Sequence, residues 1–166
     1  MQIWSPPYVR PFEALPGKHA MYEITAEITL PRPLEEVFPF FSDARNLERL
    51  TPGWLKFEVL TPDPVEMAPG TLIDYRLRLR GFPVRWRSEI TAWEPPYRFV
   101  DEQRRGPYRA WIHEHTFEER DGQTVARDRV QYDHFGGRLV NRLLVAPDVA
   151  KIFAFRRKKM EEIFAR

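Results

Sequence analysis

Between Tyr22 and Leu30 apolar and polar residues alternate, with Tyr22, Ile24, Ala26, Ile28 and Leu30 on one face, the period of a half-buried strand. Pro31 and Pro33 end the run. Glu35 and Glu36 then fall in a helical first turn, where carboxylates meet the positive end of the dipole, and a short helix carrying Val37, Phe38 and Phe41 is expected, limited or kinked by Pro39. Leu47 and Leu50 are spaced for one more helical turn before Thr51-Pro52-Gly53 breaks the chain. Six strand-like runs follow, at 55–60, 71–80, 84–93, 98–104, 108–118 and 124–132. Their turn signals are Pro62 to Gly70, Gly81-Phe82-Pro83, Pro95-Pro96, Gly106-Pro107 and Asp121-Gly122. Connections this short leave no room for crossover helices, so the runs predict an antiparallel meander that the 22–30 strand joins as a seventh member.

The stretch from Gly137 to Arg166 reads as helix, interrupted or bent at Pro147. On a helical wheel Ile152, Phe153, Met160, Ile163 and Phe164 share one face, with Arg156 at its centre. The expected fold is α+β: a seven-stranded curved antiparallel sheet with two short helices, gripping one long C-terminal helix. A curved sheet and a helix cannot pack flat everywhere, and the gap between them is a natural ligand cavity. Residues 1–20 carry Pro6, Pro7, Pro11, Pro16 and Gly17 without periodicity and read as an extended arm before a domain at 21–166, with Met21 an alternative start.

Composition narrows the function. The 166 residues suit one core, and 43% hydrophobic with 30% charged residues describes a globular chain. No run approaches the ~18–20 apolar residues of a membrane span and no export signal is visible, so a cytoplasmic protein without membrane insertion is expected. The absence of cysteine excludes disulfides, thiol nucleophiles and iron–sulfur clusters. A net charge of +2 with interleaved signs argues against nucleic acid as a partner. The basic groups Arg76, Arg78 and Arg80 read as an exposed face paired with Glu89 and other acids, and Arg156 to Lys159 as a solvated helix end. Glycine-rich phosphate loops, nucleophile elbows and helical metalloprotease motifs have no counterpart here. The 16 prolines, the Arg/Glu-rich surface and the lack of cysteine suit a protein that works hot.

The segments Ser42-Asp43-Ala44-Arg45-Asn46-Leu47-Glu48-Arg49-Leu50-Thr51-Pro52-Gly53-Trp54-Leu55 and Gly106-Pro107-Tyr108-Arg109-Ala110-Trp111-Ile112-His113-Glu114-His115-Thr116-Phe117 resemble the SRPBCC superfamily, which includes START-type lipid-transfer domains, the birch pollen allergen fold and polyketide cyclases. The likeness extends from about Met21 to Arg166 and is strongest to bacterial stand-alone members of unassigned activity. It implies a helix-grip fold around a hydrophobic cavity, and it leaves enzymes and carriers both open.

Alternation along 108–118 places Trp111, His113, His115 and Phe117 on one face, which the resemblance implies is the cavity face. Asp101 on its run with Gln103, and Asp128 on its run with Tyr132, are the acidic partners that point the same way. The preferred reading is a cofactor-free, hydrogen-bonded polar wall of a ligand site. Acid/base catalysis by His113 or His115, supported by Asp101 or Asp128, is the second reading. A metal held by the i, i+2 histidine pair and a carboxylate is the third. Arg156 needs a partner if buried, an internal carboxylate being favoured over the carboxylate of a ligand. Tyr75 and Trp86 are candidate stacking groups, Phe153 joins them from the helix, and Trp54 and Trp93 are expected in the core. The leading expectation is therefore binding, with transport as its extension, of a small hydrophobic or amphipathic molecule such as a lipid or polyketide-like compound. A cyclase or dehydratase is the alternative, and an interaction module or homodimer the third.

Overall fold

In a computed structural model the described residues are 8–11 and 21–165. Eight strands form one antiparallel sheet: β1 (Tyr8–Pro11), β2 (Tyr22–Leu30), β3 (Glu58–Val59), β4 (Leu72–Leu79), β5 (Phe82–Glu94), β6 (Arg98–Arg105), β7 (Ala110–Arg120) and β8 (Gln123–Asp133). Their order is β1-β2-β8-β7-β6-β5-β4-β3. The seven expected strands are present, and the backbone of Tyr8–Pro11 adds an eighth by pairing with β2. The rest of the proposed arm at 1–20 lies outside the described residues.

The hairpins follow from local chemistry. Arg80-Gly81 and Asp121-Gly122 turn β4 into β5 and β7 into β8 with positive φ at both residues, 51° and 87° in the first and 51° and 72° in the second. That conformation matches the right-handed twist of the flanking strands and favours glycine at its second position. Register shifts at Arg87/Ser88 and Ile90/Ala92 bend the 13-residue β5 and help to curve the sheet. The run expected at 55–60 shrinks to the two residues of β3, because Gly53–Leu55 forms a 3₁₀ turn that Lys56 closes by donating its N–H to Gly53 O.

The short helices α1 (Leu34–Ser42) and α2 (Asn46–Leu50) lie between β2 and β3, and α1 accommodates Pro39 inside its span. At the other end α3 (Gly137–Val140) runs through a wide π-helical turn, Asn141–Val145, into α4 (Ala146–Phe164). Pro147 is the second residue of α4. It has no N–H, and its ring would meet the carbonyl four residues earlier in a regular helix, so the wide turn replaces the expected break.

Val149, Phe153, Arg156, Met160 and Phe164 are the buried residues of α4. Met160 and Phe164 pack on Leu30, Val37, Phe38, Phe99 and Phe117 at one end of the sheet. Val149 and Phe153 pack on Tyr22, Ile24, Val130 and Tyr132 at the other. Two surface expectations are corrected. Trp54 is 61% exposed, edge-on to Phe155, because the 3₁₀ turn swings it out of the core. Arg76 pairs with Glu58 across β3–β4, while Glu89 pairs with Arg104 across β5–β6.

Candidate functional site

A cavity of about 190 Å³ lies between α4, α2 and the concave face of the sheet. Leu47 and Leu50 border it from α2, Tyr75 and Leu77 from β4, Trp86 from β5, and Ile152 from α4. Its polar wall comes from three adjacent strands. Asp101 sits directly opposite His113 across β6–β7, and His115 directly opposite Asp128 across β7–β8. Residues two apart on β7 share a face, so these two cross-strand pairs merge into one cluster.

Within it, His113 Nε2–H donates to Asp128 Oδ1 over 3.1 Å, and His115 Nδ1 lies 2.7 Å from the same oxygen without hydrogen-bond alignment. On the other side Asp101 Oδ2 lies 3.8 Å from His113 Nδ1 and 3.4 Å from His115 Nε2. Phe99 stacks on His115 with ring centroids 4.1 Å apart. From α4, Arg156 Nε reaches within 3.7 Å of Asp128 Oδ2.

Burial opposes charge on all four groups of the sheet, and the neighbours decide the outcome. Against desolvation, His115 and His113 hold the Asp101 carboxyl below its ordinary value, helped by the Ser88 hydroxyl. Asp128 falls well below it: desolvation is overcome by the Arg156 charge and then by the two histidines. Desolvation together with the charge on His115 lowers His113. His115 is raised, since its contacts with Asp101 and Asp128 outweigh desolvation. The two opposite directions make His115 the ring that holds a proton more readily and His113 the one that gives it up more readily.

Tyr75, Trp86, Asp101, Trp111, His113, His115, Phe153 and Arg156 all border the cavity. Asp128 stands behind the histidines and borders a smaller void of about 90 Å³ under α4, which Phe153 and Arg156 also touch. Gln103, Phe117 and Tyr132 are not on the cavity wall. Gln103 Nε2 donates to Tyr108 O over 2.7 Å and its Oε1 accepts from Tyr108 N at 3.3 Å, because it lies near the end of β6 where the chain turns. Phe117 is two residues beyond His115, inside the apolar cluster with Phe38. Tyr132 is fully buried and donates its hydroxyl to Asn141 Oδ1 in the wide turn.

Two site residues escape a reading of the sequence. Ser88 donates to Asp101 Oδ1 over 3.1 Å and accepts from Trp86 Nε1, also at 3.1 Å, which links the aromatic wall to the cluster. Its signal is a small polar residue between Trp86 and Ile90 on one inward strand face. Tyr108, edge-on to Trp86, falls by alternation along 108–118 on the face opposite His113, but the strand begins only at Ala110 and the turn before it brings the ring to the cavity.

Residues 30–146 match the family model described as polyketide cyclase / dehydrase and lipid transport. The chain belongs to this family. The polyketide cyclase/dehydrase and lipid-transport family handles small hydrophobic molecules, and its helix-grip architecture, shared across the SRPBCC superfamily, is the one described above. Among solved structures, protein Ms6760 from Mycobacterium smegmatis matches at TM-score 0.62 and 20% identity, over 87% of this chain and 90% of that one. Protein TTHA0849 from Thermus thermophilus matches at TM-score 0.61 and 22% identity, over 84% and 94%. The Zhui aromatase/cyclase from Streptomyces sp. R1128 matches at TM-score 0.61 and 14% identity, over 86% and 96%. At these identities the likeness is one of fold. No curated protein matches the sequence. Among the described residues no helix is long and apolar enough to cross a membrane.

Proposed function

We propose that this family member binds a small hydrophobic or amphipathic molecule, of lipid or polyketide-like chemistry, between α4 and the sheet. The observation that carries the reading is a mostly apolar cavity of about 190 Å³ with one buried polar wall. An apolar cavity of about 150 Å³ takes up benzene, so this volume admits a ring system or a short acyl chain. The aromatic walls would bury the apolar body, and Asp101 and the histidines would orient a hydroxyl, carbonyl or acid group.

The test is native mass spectrometry of freshly purified protein beside its denatured mass, followed by titration with decanoate and with a naphthalene dye. Saturable binding at one site, lost when Leu77→Trp fills the cavity of a still folded chain, is the expected result. Equal binding by wild type and the filled variant overturns it.

One observation favours a second reading, cyclase or dehydratase activity. His113, whose pKa is lowered by desolvation and by the charge of His115, borders the cavity and is held by Asp128 on its far nitrogen, as a general base requires. Conversion of a poly-β-ketone probe that stops in His113→Ala, with dye binding retained, supports it; turnover unchanged in that variant removes it.

A further inference from the structure

One ligand atom from each of His113, His115 and Asp101 converges, the three lying within 4.8 Å of one another, and the nitrogens nearest Asp101 Oδ2 are His113 Nδ1 and His115 Nε2. Their separations from the carboxylate oxygen, 3.8 and 3.4 Å, exceed the roughly 2.7–2.9 Å of a charge-assisted hydrogen bond. None of these atoms is therefore well bonded to another. A first-row ion held about 2.0–2.1 Å from each, at tetrahedral angles, sets its ligand atoms about 3.4 Å apart. The separations of 3.4 and 3.8 Å from the carboxylate oxygen are close to that size.

An independent observation comes from the opposite side of the rings. Asp128 Oδ1 lies 3.1 Å from His113 Nε2 and 2.7 Å from His115 Nδ1, so one carboxylate faces the far nitrogen of both histidines. A carboxylate behind a ligating imidazole fixes its tautomer and turns the other nitrogen's lone pair toward the metal. The other oxygen of Asp128 lies 3.7 Å from Arg156 Nε, which balances its charge from α4. The three converging residues all border the cavity, whereas Asp128 does not.

We propose that Asp101, His113 and His115 bind one divalent transition-metal ion of the zinc or iron(II) class, with the remaining coordination position open to the cavity. Two imidazoles and one carboxylate suit such ions, and an open position is what a site built to meet a ligand keeps. An oxygen of the cavity's guest would fill it, and this last step alone rests on the ligand-binding reading. The rest stands on the geometry of the chain.

The experiment uses full-length protein without an affinity tag. After dialysis against Zn²⁺ and removal of free ion, metal content is measured by mass spectrometry, and affinity by competition with a chromophoric chelator. One ion per chain is expected for wild type and for the control His134→Gln. Asp101→Asn and His113→Gln should weaken binding at least tenfold, and Asp128→Asn by roughly 10–100-fold. The inference is overturned if wild type retains no more zinc than the double variant His113→Gln/His115→Gln. Should the variants not fold, wild type with Co²⁺ decides alone: one cobalt per chain retained after desalting supports the site, and no retained cobalt refutes it. Dye binding in the presence of EDTA tests the cavity separately, so either reading can fail without the other.

Discussion

Replacing Arg156 by methionine leaves the buried carboxylate of Asp128 without its cation from α4. Arg156 is 8% exposed and Asp128 7%, and their charged atoms are 3.7 Å apart. At an effective dielectric of ~20 that separation corresponds to about 4 kcal/mol of attraction. Breaking such a pair from one side typically destabilises by about 3–5 kcal/mol, because the remaining charge stays buried. The double variant Asp128→Leu/Arg156→Met removes one charge of each sign together, so neither is left buried alone. It should lose far less than the sum of the single variants, with a coupling of about 2–4 kcal/mol. Urea unfolding of the four proteins in EDTA, at one pH and with m-values compared, reads the cycle. Additivity within about 0.5 kcal/mol would refute the claim that Arg156 is held by Asp128.

Three further outcomes are expected. The Tyr132 phenol, whose pKa is pushed up to about 12 by burial, keeps its full stabilising effect below the ordinary value of 10.0 and loses it as pH rises through the shifted one. Tyr132→Phe should therefore cost about 1 kcal/mol near neutrality, through the lost bond to Asn141, yet narrow its deficit between pH ~10 and ~12 in alkaline melts. A Cβ at residue 106 would lie 2.2 Å from Gln103 Oε1, so Gly106→Ala should push Gln103 off Tyr108 and destabilise by about 1–2 kcal/mol in urea, with little further loss in Gly106→Ala/Gln103→Ala. Arg104→Ala, which opens partly exposed pairs with Glu89 and Glu102, should change the same measurement by no more than about 1 kcal/mol.

The meander was legible because period-two alternation and paired turn residues are local signals, and the inward set of β7 was legible for the same reason. The helix wheel likewise identified Arg156 as a charge on an apolar stripe. What alternation could not give was depth along a strand. Phe117 and Tyr132 share faces with cavity residues yet pack beyond the cavity, and Gln103 spends its amide on the Tyr108 backbone. Nor could it show that His113 and His115 share one carboxylate, since that depends on the β6–β7–β8 register. Trp54 escapes the pattern because the 3₁₀ turn at Gly53–Leu55 interrupts the strand that alternation would draw from Leu55 onward.

The wide turn at Asn141–Val145 acts on the helix as a one-residue insertion, and each residue of a regular helix advances the wheel by about 100°. The two halves consequently run out of phase. Leu139 and Leu143 look outward, while Val149 and Phe153, a few residues later, look into the sheet. Asn141, held by the hydroxyl of Tyr132, pins that offset to the end of β8. A change of pitch near the start of the helix thus sets the rotation at which, several turns downstream, a guanidinium is presented to Asp128.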